Sequence, residues 1–347
     1  MKCSIVIHAY NEEQHIGRLL EGIRHQTVQD VEIILADSGS TDATAAIAAQ
    51  YGGTVVHIPP AEFTFGRSLN LGLAAATRDL VVIASAHVYP VYPDWLERLL
   101  EPFDDPRVAL AYGKQRGGEA SSFSEKQVFT HWYPDHSNLA QGHPFCNNAN
   151  AAIRRSVWEK NPYDETLTGL EDLAWARGAL DGGYTIAYLA DAEIVHLHNE
   201  TPHGVANRYR REAMAFKCLY PEEHFSLYDF IRMVSANISS DLWHSLKGRV
   251  FWRSAASIFW FRIMQFWGTY QGYRESLEWN WQLRQTFYYP RRTQATKKLT
   301  PARLSRFGII LPNRSGLLFP PDLVPKHRIT YAPAHPRFTS RHCRAGL

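Results

Sequence analysis

The first hundred residues alternate between two hydrophobic periods. CSIVIHAY (3–10) is a β-branched run that reads as a strand, and NEEQHIGRLLEGIRHQ then sets Ile16, Leu19, Leu20 and Ile23 on one helical face. DVEIILADS (30–38) is the next strand; SGSTDATAAIAAQYG supplies a turn, a Thr or Asp cap and an Ala-rich helix that closes at Gly52-Gly53. TVVHIPP predicts a third strand, SLNLGLAAA a helix, and LVVIASA a fourth strand, apolar on both faces as a central parallel strand must be. DWLERLLEPF follows as a helix, with Asp94 as its cap. Short βα alternation of this kind predicts a doubly wound α/β domain whose binding loops gather at the carboxyl ends of the strands.

Beyond residue 100 the pattern loosens. VALAYGKQ (108–115) is a strand, AAIRRSVWEKN a short strand running into a helix, EDLAWARGALDGGY a helix, and TIAYLADAEIVHLH a strand pair ending in histidine. Residues 206–289 read as helical and aromatic. FWRSAASIFWFRIMQFWGTYQGYR (251–274) is dense in rings but interrupted by Arg253, Arg262 and Arg274, so it is not a membrane span. It reads either as an interfacial amphipathic helix or as a helix packed on the body with its arginines snorkelling to water.

Composition narrows the class. The chain has 347 residues, 45% hydrophobic and 20% charged, enough for a core and a second subdomain. The net charge of +3 hides an asymmetry, because residues 291–347 hold 12 of the 37 Lys and Arg and one acid, Asp322, leaving an acidic body before them. A basic Pro-rich tail of this kind suits an anionic membrane surface or nucleic acid, or simply solvates a segment packed over the body. Cys3, Cys146, Cys218 and Cys343 have no paired spacing, which predicts reduced thiols and a cytoplasmic chain. The short apolar N-terminus is no secretory signal. There is no G-x-G-x-x-G, P-loop lysine or nucleophile elbow, and Cys146 lacks the context of a nucleophile.

The ordered set SIVIHAYNEE, EIILADSGSTDAT, FTFGRSLNLG, SAHVYP, NNANAAIRRSVW and LTGLEDLAWA resembles the family 2 inverting glycosyltransferases of GT-A fold, and in particular their bacterial polysaccharide and rhamnosyltransferase-like branch. The resemblance covers about residues 1–225. It implies a GT-A catalytic domain with a mostly parallel central sheet and helices on both faces, followed by an aromatic helical extension (226–290) and the basic tail (291–347). The implied reaction is inverting transfer of a sugar from a nucleotide-diphosphate donor, UDP or dTDP preferred, to a hydroxyl of a saccharide or lipid-linked saccharide, at the inner face of the membrane. A GT-A scaffold that binds nucleotide or carbohydrate without turnover is the alternative.

Carried onto this sequence, the resemblance places Ala9, Tyr10 and Glu12 near the nucleotide and gives Asp37 a hydrogen bond to the base, against a local role as an Asx cap. Arg67 and Asn70 fall where relatives contact the diphosphate or base; many relatives carry an arginine where Leu69 stands here. The Asp-x-Asp-like triplet that normally holds Mg2+ or Mn2+ falls on Ser85, Ala86 and His87, so there is no carboxylate. His87 then replaces the carboxylate as a metal ligand, or meets the pyrophosphate without a metal. His198 resembles a late histidine ligand, with His196, two residues away on the same strand face, as runner-up. Asp172 matches the base that deprotonates the acceptor, beside Glu171, and a helix N-terminus there lowers a carboxylate's pKa. Asn148 or Asn150 suits sugar hydroxyls and Trp132 a stacking platform, while Trp158 and Trp175 read as core.

Overall fold

A nine-stranded sheet forms the centre of the computed structural model, which describes residues 1–198, 200–275, 287 and 288. The basic tail therefore lies outside the described residues. Strands β1 (Lys2–Ala9), β2 (Asp30–Asp37), β3 (Thr54–His57) and β4 (Leu80–Ser85) pair in parallel in the order β3-β2-β1-β4. Helices α1 (Ile16–Arg24), α2 (Thr44–Gln50) and α3 (Phe65–Ala75) connect them, as the alternating periods predict. The run from Val81 to Ala84 is fully buried, as expected of a central strand.

Beyond β4 the expectation of a mostly parallel sheet gives way to a mixed one. After β5 (Val88–Pro90) and α4 (Trp95–Leu100) come β6 (Val108–Gly117), α5 (Phe123–Trp132), β7 (Asn138–Gln141), β8 (Asn150–Arg154) and α6 (Arg155–Trp158). β8 runs antiparallel to both β4 and β6, and β5 and β7 are antiparallel to β9 (Thr185–His196). The predicted strand pair at 185–198 is this single strand, whose pairing with β6 shifts register between Gly113 and Gln115. Because β8 reverses between β4 and β6, the carboxyl ends of β1, β2, β4, β6 and β9 and the amino end of β8 all reach one edge of the sheet. Two apolar layers cover the faces, one with Leu69, Leu73 and Trp175, the other with Leu19, Leu20 and Trp95.

Helix α7 (Glu171–Asp181) precedes β9, and α8 (Pro202–Leu219), α9 (Leu227–Lys247) and α10 (Phe251–Arg274) complete the described chain. α10 lies on α8 at backbone contact: a Cβ at Gly268 would stand 2.1 Å from the Ala206 carbonyl oxygen. Arg262 does not snorkel. It is buried, and its Nε and Nη2 donate to Asp241 on α9 at 2.7 and 3.0 Å, while Ser124 of α5 donates to the same carboxylate at 2.6 Å. Its position on the inward face of α10 forces that pairing; Arg253 and Arg274 remain exposed. The described residues belong to one compact unit, with no seam at 225. Cys3 and Cys146 are buried free thiols, but Cys218 is disulfide-bonded, which corrects the reading of reduced cysteines at that position. No helix among the described residues is long and apolar enough to cross a membrane.

Candidate active site

The loops after β1 and β2 are tied to each other. Asn11 takes a left-handed backbone (φ 55°), and its side-chain oxygen accepts from Thr41 N–H at 2.8 Å, while the Glu12 N–H donates to Thr44 Oγ1 at 2.7 Å. Asp37 ends β2 with its carboxylate buried, accepting from Ser40 N–H at 3.2 Å and from His57 Nδ1 at 3.2 Å. The Asx-type bond to Ser40 and a place at the binding edge therefore coexist. Ala9 accepts from Ser38 N–H at 3.0 Å, and Tyr10 is exposed at the rim.

Three imidazoles converge at the ends of β4 and β9. Ring centroids are 5.1 Å apart for His87 and His196, 5.8 Å for His87 and His198, and 4.1 Å for His196 and His198. One ligand nitrogen from each lies within 4.8 Å of the others. Ser85 is buried with its hydroxyl 3.1 Å from His87 Nε2, and Ala86 contributes only backbone, its N–H reaching the His8 carbonyl at 3.3 Å. Glu12 is the partner of His87 Nδ1, at 3.0 Å. Burial holds the His196 pKa well below the ordinary histidine range, with His198 and His87 adding to the effect, so its ring is neutral. His8 beneath is pushed down to about 4 by burial. His196 Nε2 is buried without a hydrogen-bond partner, an orphan acceptor facing the other two rings. A neutral His196 with an unmet lone pair, beside two further imidazoles, fits a divalent cation, so the residues present suit the metal that the resemblance implies.

A buried carboxylate pair stands at the start of α7. Leu170, just before it, has φ 56°, a left-handed conformation costly for a side chain of its size, and this turn points Glu171 and Asp172 inward together. Asp172 accepts from Leu173 N–H at 2.7 Å and Asn148 N–H at 3.3 Å; Glu171 accepts from the Asn148 amide at 3.4 Å, and the Tyr163 hydroxyl donates to that amide's oxygen at 3.2 Å. Burial raises the pKa of Asp172, and the adjacent Glu171 charge raises it further; burial likewise raises that of Glu171. The lowering expected from the helix terminus is thus outweighed by desolvation.

Hydrogen bonds join the two centres. His196 Nδ1 meets Gln115 Oε1 at 2.8 Å, Gln115 Nε2 donates to Asn147 Oδ1 at 3.1 Å, and the next residue, Asn148, holds the carboxylates. His87 and Asp172 therefore lie at one sheet edge through a short polar relay. Beside it, a cleft of about 480 Å³ is lined by Lys114, Arg116, Lys126, Phe129 and Tyr133 among others, between the end of β6 and α5.

Arg67 and Asn70 are placed elsewhere. The Asn70 amide is filled: it donates to Tyr163 O and Glu165 at 2.9 Å each and accepts from Trp158 Nε1 at 2.9 Å and Tyr163 N–H at 3.0 Å. Arg67 pairs with Glu62 at 2.7 Å and Glu165 at 3.3 Å. Gly66 lets α3 approach so closely that a Cβ would fall 2.3 Å from the Asp164 carbonyl oxygen. The F-x-x-G…N-x-G segment thus docks the loop leading to α7, with Asn70 and Arg67 bonded to that loop and Arg67 also to Glu62. Asn150 is likewise structural, accepting from Trp95 Nε1 at 2.9 Å and donating to Ala192 O at 2.9 Å. Trp158 and Trp175 are core, whereas Trp132 is half exposed and stacked on Phe145 at 4.7 Å.

Sequence reasoning missed Glu125, Gln115 and Arg208. Glu125 accepts from His198 Nδ1 at 2.8 Å, and Arg208 of α8 pairs with Glu200 at 2.7 Å and lies 3.8 Å from Glu125. The Ser-x-x-Glu spacing at Ser122 and Glu125 signals a helix start, which it is: Ser122 accepts from Glu125 N–H at 3.2 Å. That signal marks the helix without showing that the glutamate side chain serves a histidine.

Residues 4–161 match the family model for glycosyl transferase family 2. Among curated proteins, the chain is 34% identical over 195 residues to the O-antigen chain rhamnosyltransferase WbaN of Salmonella anatum, covering 53% of this chain and 62% of that protein. It is 28% identical over 222 residues to RfbN of Salmonella typhimurium, another O-antigen chain rhamnosyltransferase, covering 60% and 70%. The chain thus spans less than two thirds of the length of WbaN. A solved mannosyltransferase from Pyrobaculum calidifontis, in complex with GDP-Man and Mn2+, shares the fold with a TM-score of 0.53 at 18% identity, covering 78% of this chain and 84% of that one. The chain is thus similar to glycosyl transferase family 2 over residues 4–161 and shares its fold with a solved mannosyltransferase.

Proposed function

We propose that the chain transfers a sugar from a nucleoside-diphosphate donor to a hydroxyl of a saccharide acceptor, with inversion. The observation that carries this reading is the buried Asp172, joined by hydrogen bonds to the histidine-lined end of β4 and β9. The strand order supports a direction across the sheet edge: base near Asp37 on β2, ribose near Ala9 and Tyr10, diphosphate near Ser85, Ala86 and His87, transferred sugar near Asn148, acceptor in the cleft beside β6. Asp172, in its carboxylate form, takes the acceptor proton as the hydroxyl attacks the anomeric carbon from the face opposite the diphosphate, and its raised pKa makes it a stronger proton acceptor. Asn148 orients both carboxylates, and Glu171 raises the proton affinity of its neighbour. A divalent cation bound by the imidazoles would offset the charge of the leaving diphosphate. Rhamnose is the sugar for which both curated relatives are named, and a pyrimidine donor, UDP or dTDP, is the expected form. Nucleotide release should be seen from a pyrimidine diphosphate sugar and should rise with saccharide acceptor; a panel of UDP-, dTDP- and GDP-sugars that yields no release with any divalent ion would overturn the reading.

The acceptor is proposed to be lipid-linked and met at the inner surface of a membrane. Tyr228, Ile231, Trp243 and Leu246 of α9 and Trp252, Phe259 and Trp267 of α10 are solvent-exposed, Trp252 at 93%, with Arg232, Lys247, Arg249 and Arg253 exposed among them. Aromatic rings interleaved with cations suit an anionic bilayer interface. The protein should float with vesicles containing anionic lipid, and the double variant Trp243→Ser/Trp252→Ser should lose most of that flotation; equal flotation would remove the membrane role.

A further inference from the structure

We infer that His87, His196 and His198 form a three-imidazole site that selects a transition-metal cation over Mg2+, with Glu12, Gln115 and Glu125 as the acceptors that fix the ligand nitrogens. The inference deepens the proposed donor site and rests on that reading for its role, though not for its geometry.

In each ring Nδ1 is already committed to an oxygen: His87 to Glu12 at 3.0 Å, His196 to Gln115 at 2.8 Å and His198 to Glu125 at 2.8 Å. Gln115 must present its oxygen to His196, because its Nε2 donates to Asn147. Carboxylate and amide oxygens can only accept, so Nδ1 carries a proton in all three, and Nε2 is the nitrogen turned away from these acceptors. One nitrogen from each ring lies within 4.8 Å of the others, and one nitrogen of the trio, His196 Nε2, is buried with no partner. Acceptors behind imidazoles are the usual means of orienting metal-bound histidines. The Ser85 hydroxyl, 3.1 Å from His87 Nε2, is within reach of that ring, but the buried His196 Nε2 has no protein donor, and a cation held among the three rings is a group that would satisfy it.

The donor set decides the class of ion. Mg2+ is hard, sheds water reluctantly and takes oxygen ligands, whereas imidazole suits Zn2+, Co2+ and, more weakly, Mn2+. A triplet without a carboxylate, Ser85-Ala86-His87, therefore marks a change of ligand and need not mark loss of the site. The Glu125–His198–Glu200 group shares a ligand with this site but is already served by the Arg208 guanidinium, 2.7 Å from Glu200 and 3.8 Å from Glu125.

The full chain, stripped with chelator and titrated with Co2+ in the absence of any donor, should take up one ion and develop a visible d–d absorption band. Mg2+ in hundredfold excess should leave the band intact, and Zn2+ should bleach it. His196→Gln should weaken Co2+ binding at least tenfold, and Glu125→Gln, which leaves every ligand in place, by about 10- to 100-fold, both with unchanged circular dichroism. Displacement by Mg2+ at concentrations comparable to Co2+, no Co2+ uptake, or full affinity in both variants would overturn the inference. Stoichiometric Co2+ uptake in a protein that releases nucleotide from no donor would keep the site and discard the transferase reading.

Discussion

Asp172→Asn should lower the rate of sugar transfer by about 10²- to 10⁴-fold, the range of a lost general base, with little change in donor binding. The substitution keeps shape and hydrogen-bonding capacity at the start of α7 while removing the proton acceptor. It should also leave the fold intact or firmer. The folded-state pKa of Asp172 is raised by burial and by Glu171, so the group contributes stability that is fully present below the ordinary carboxylate pKa and is lost as pH rises through the raised value. At neutral pH the folded site therefore holds a proton that the unfolded chain would release, a cost that Asn does not carry, and a melting temperature at or above wild type beside lost turnover separates catalysis from structure. Glu171→Gln makes the complementary case. It removes the like charge, lowers the Asp172 pKa, and should shift the acid limb of the kcat profile to lower pH. A profile that stays in place would mean that Asp172 is not the group titrating.

Arg262→Met should destabilise the protein by about 3–5 kcal/mol, the cost of leaving one partner of a buried ion pair uncompensated, read as a lower urea midpoint at unchanged slope. The Arg262–Asp241 pair is nearly enclosed, with Ser124 donating to the same carboxylate and Arg262 Nη1 donating to Gln265 at 2.9 Å. Solvent does little to screen it. The double variant Arg262→Met/Asp241→Leu should recover most of the loss, because neither charge then remains in the apolar seam. If Arg262→Met alone costs under 1 kcal/mol, as for a surface pair, the three helices are not held together there.

What could be read in the chain follows its local physics. The βα alternation of the first hundred residues is legible because each strand and helix there is a short, regular period, and all the predicted elements between β1 and α4 form. β5, α5 and β7 are not legible. They are three to ten residues long, and their segments are polar or mixed, so only tertiary pairing defines them. At the site, Asp172 and His87 stand out by position in ordered motifs, but their partners do not. Nothing near Gln115 predicts that it would bridge an imidazole and an asparagine loop 32 residues away. Asn70 and Arg67 are the converse, a recognisable segment that suggests ligand contact and whose bonds to the loop before α7 no local pattern predicts. Arg262 reads as a break in an apolar helix, and only the facing Asp241 explains it.

Helix α8 has a double allegiance. One side supplies Arg208 to the glutamates beside the histidines, and the other accepts α10 so tightly that Gly268 rests on the Ala206 backbone. A surface that engages α10 from outside is therefore one rigid rod away from the histidines. The aromatic hairpin is therefore less an appendage than a part of the packing that holds α8, and with it Arg208, in place.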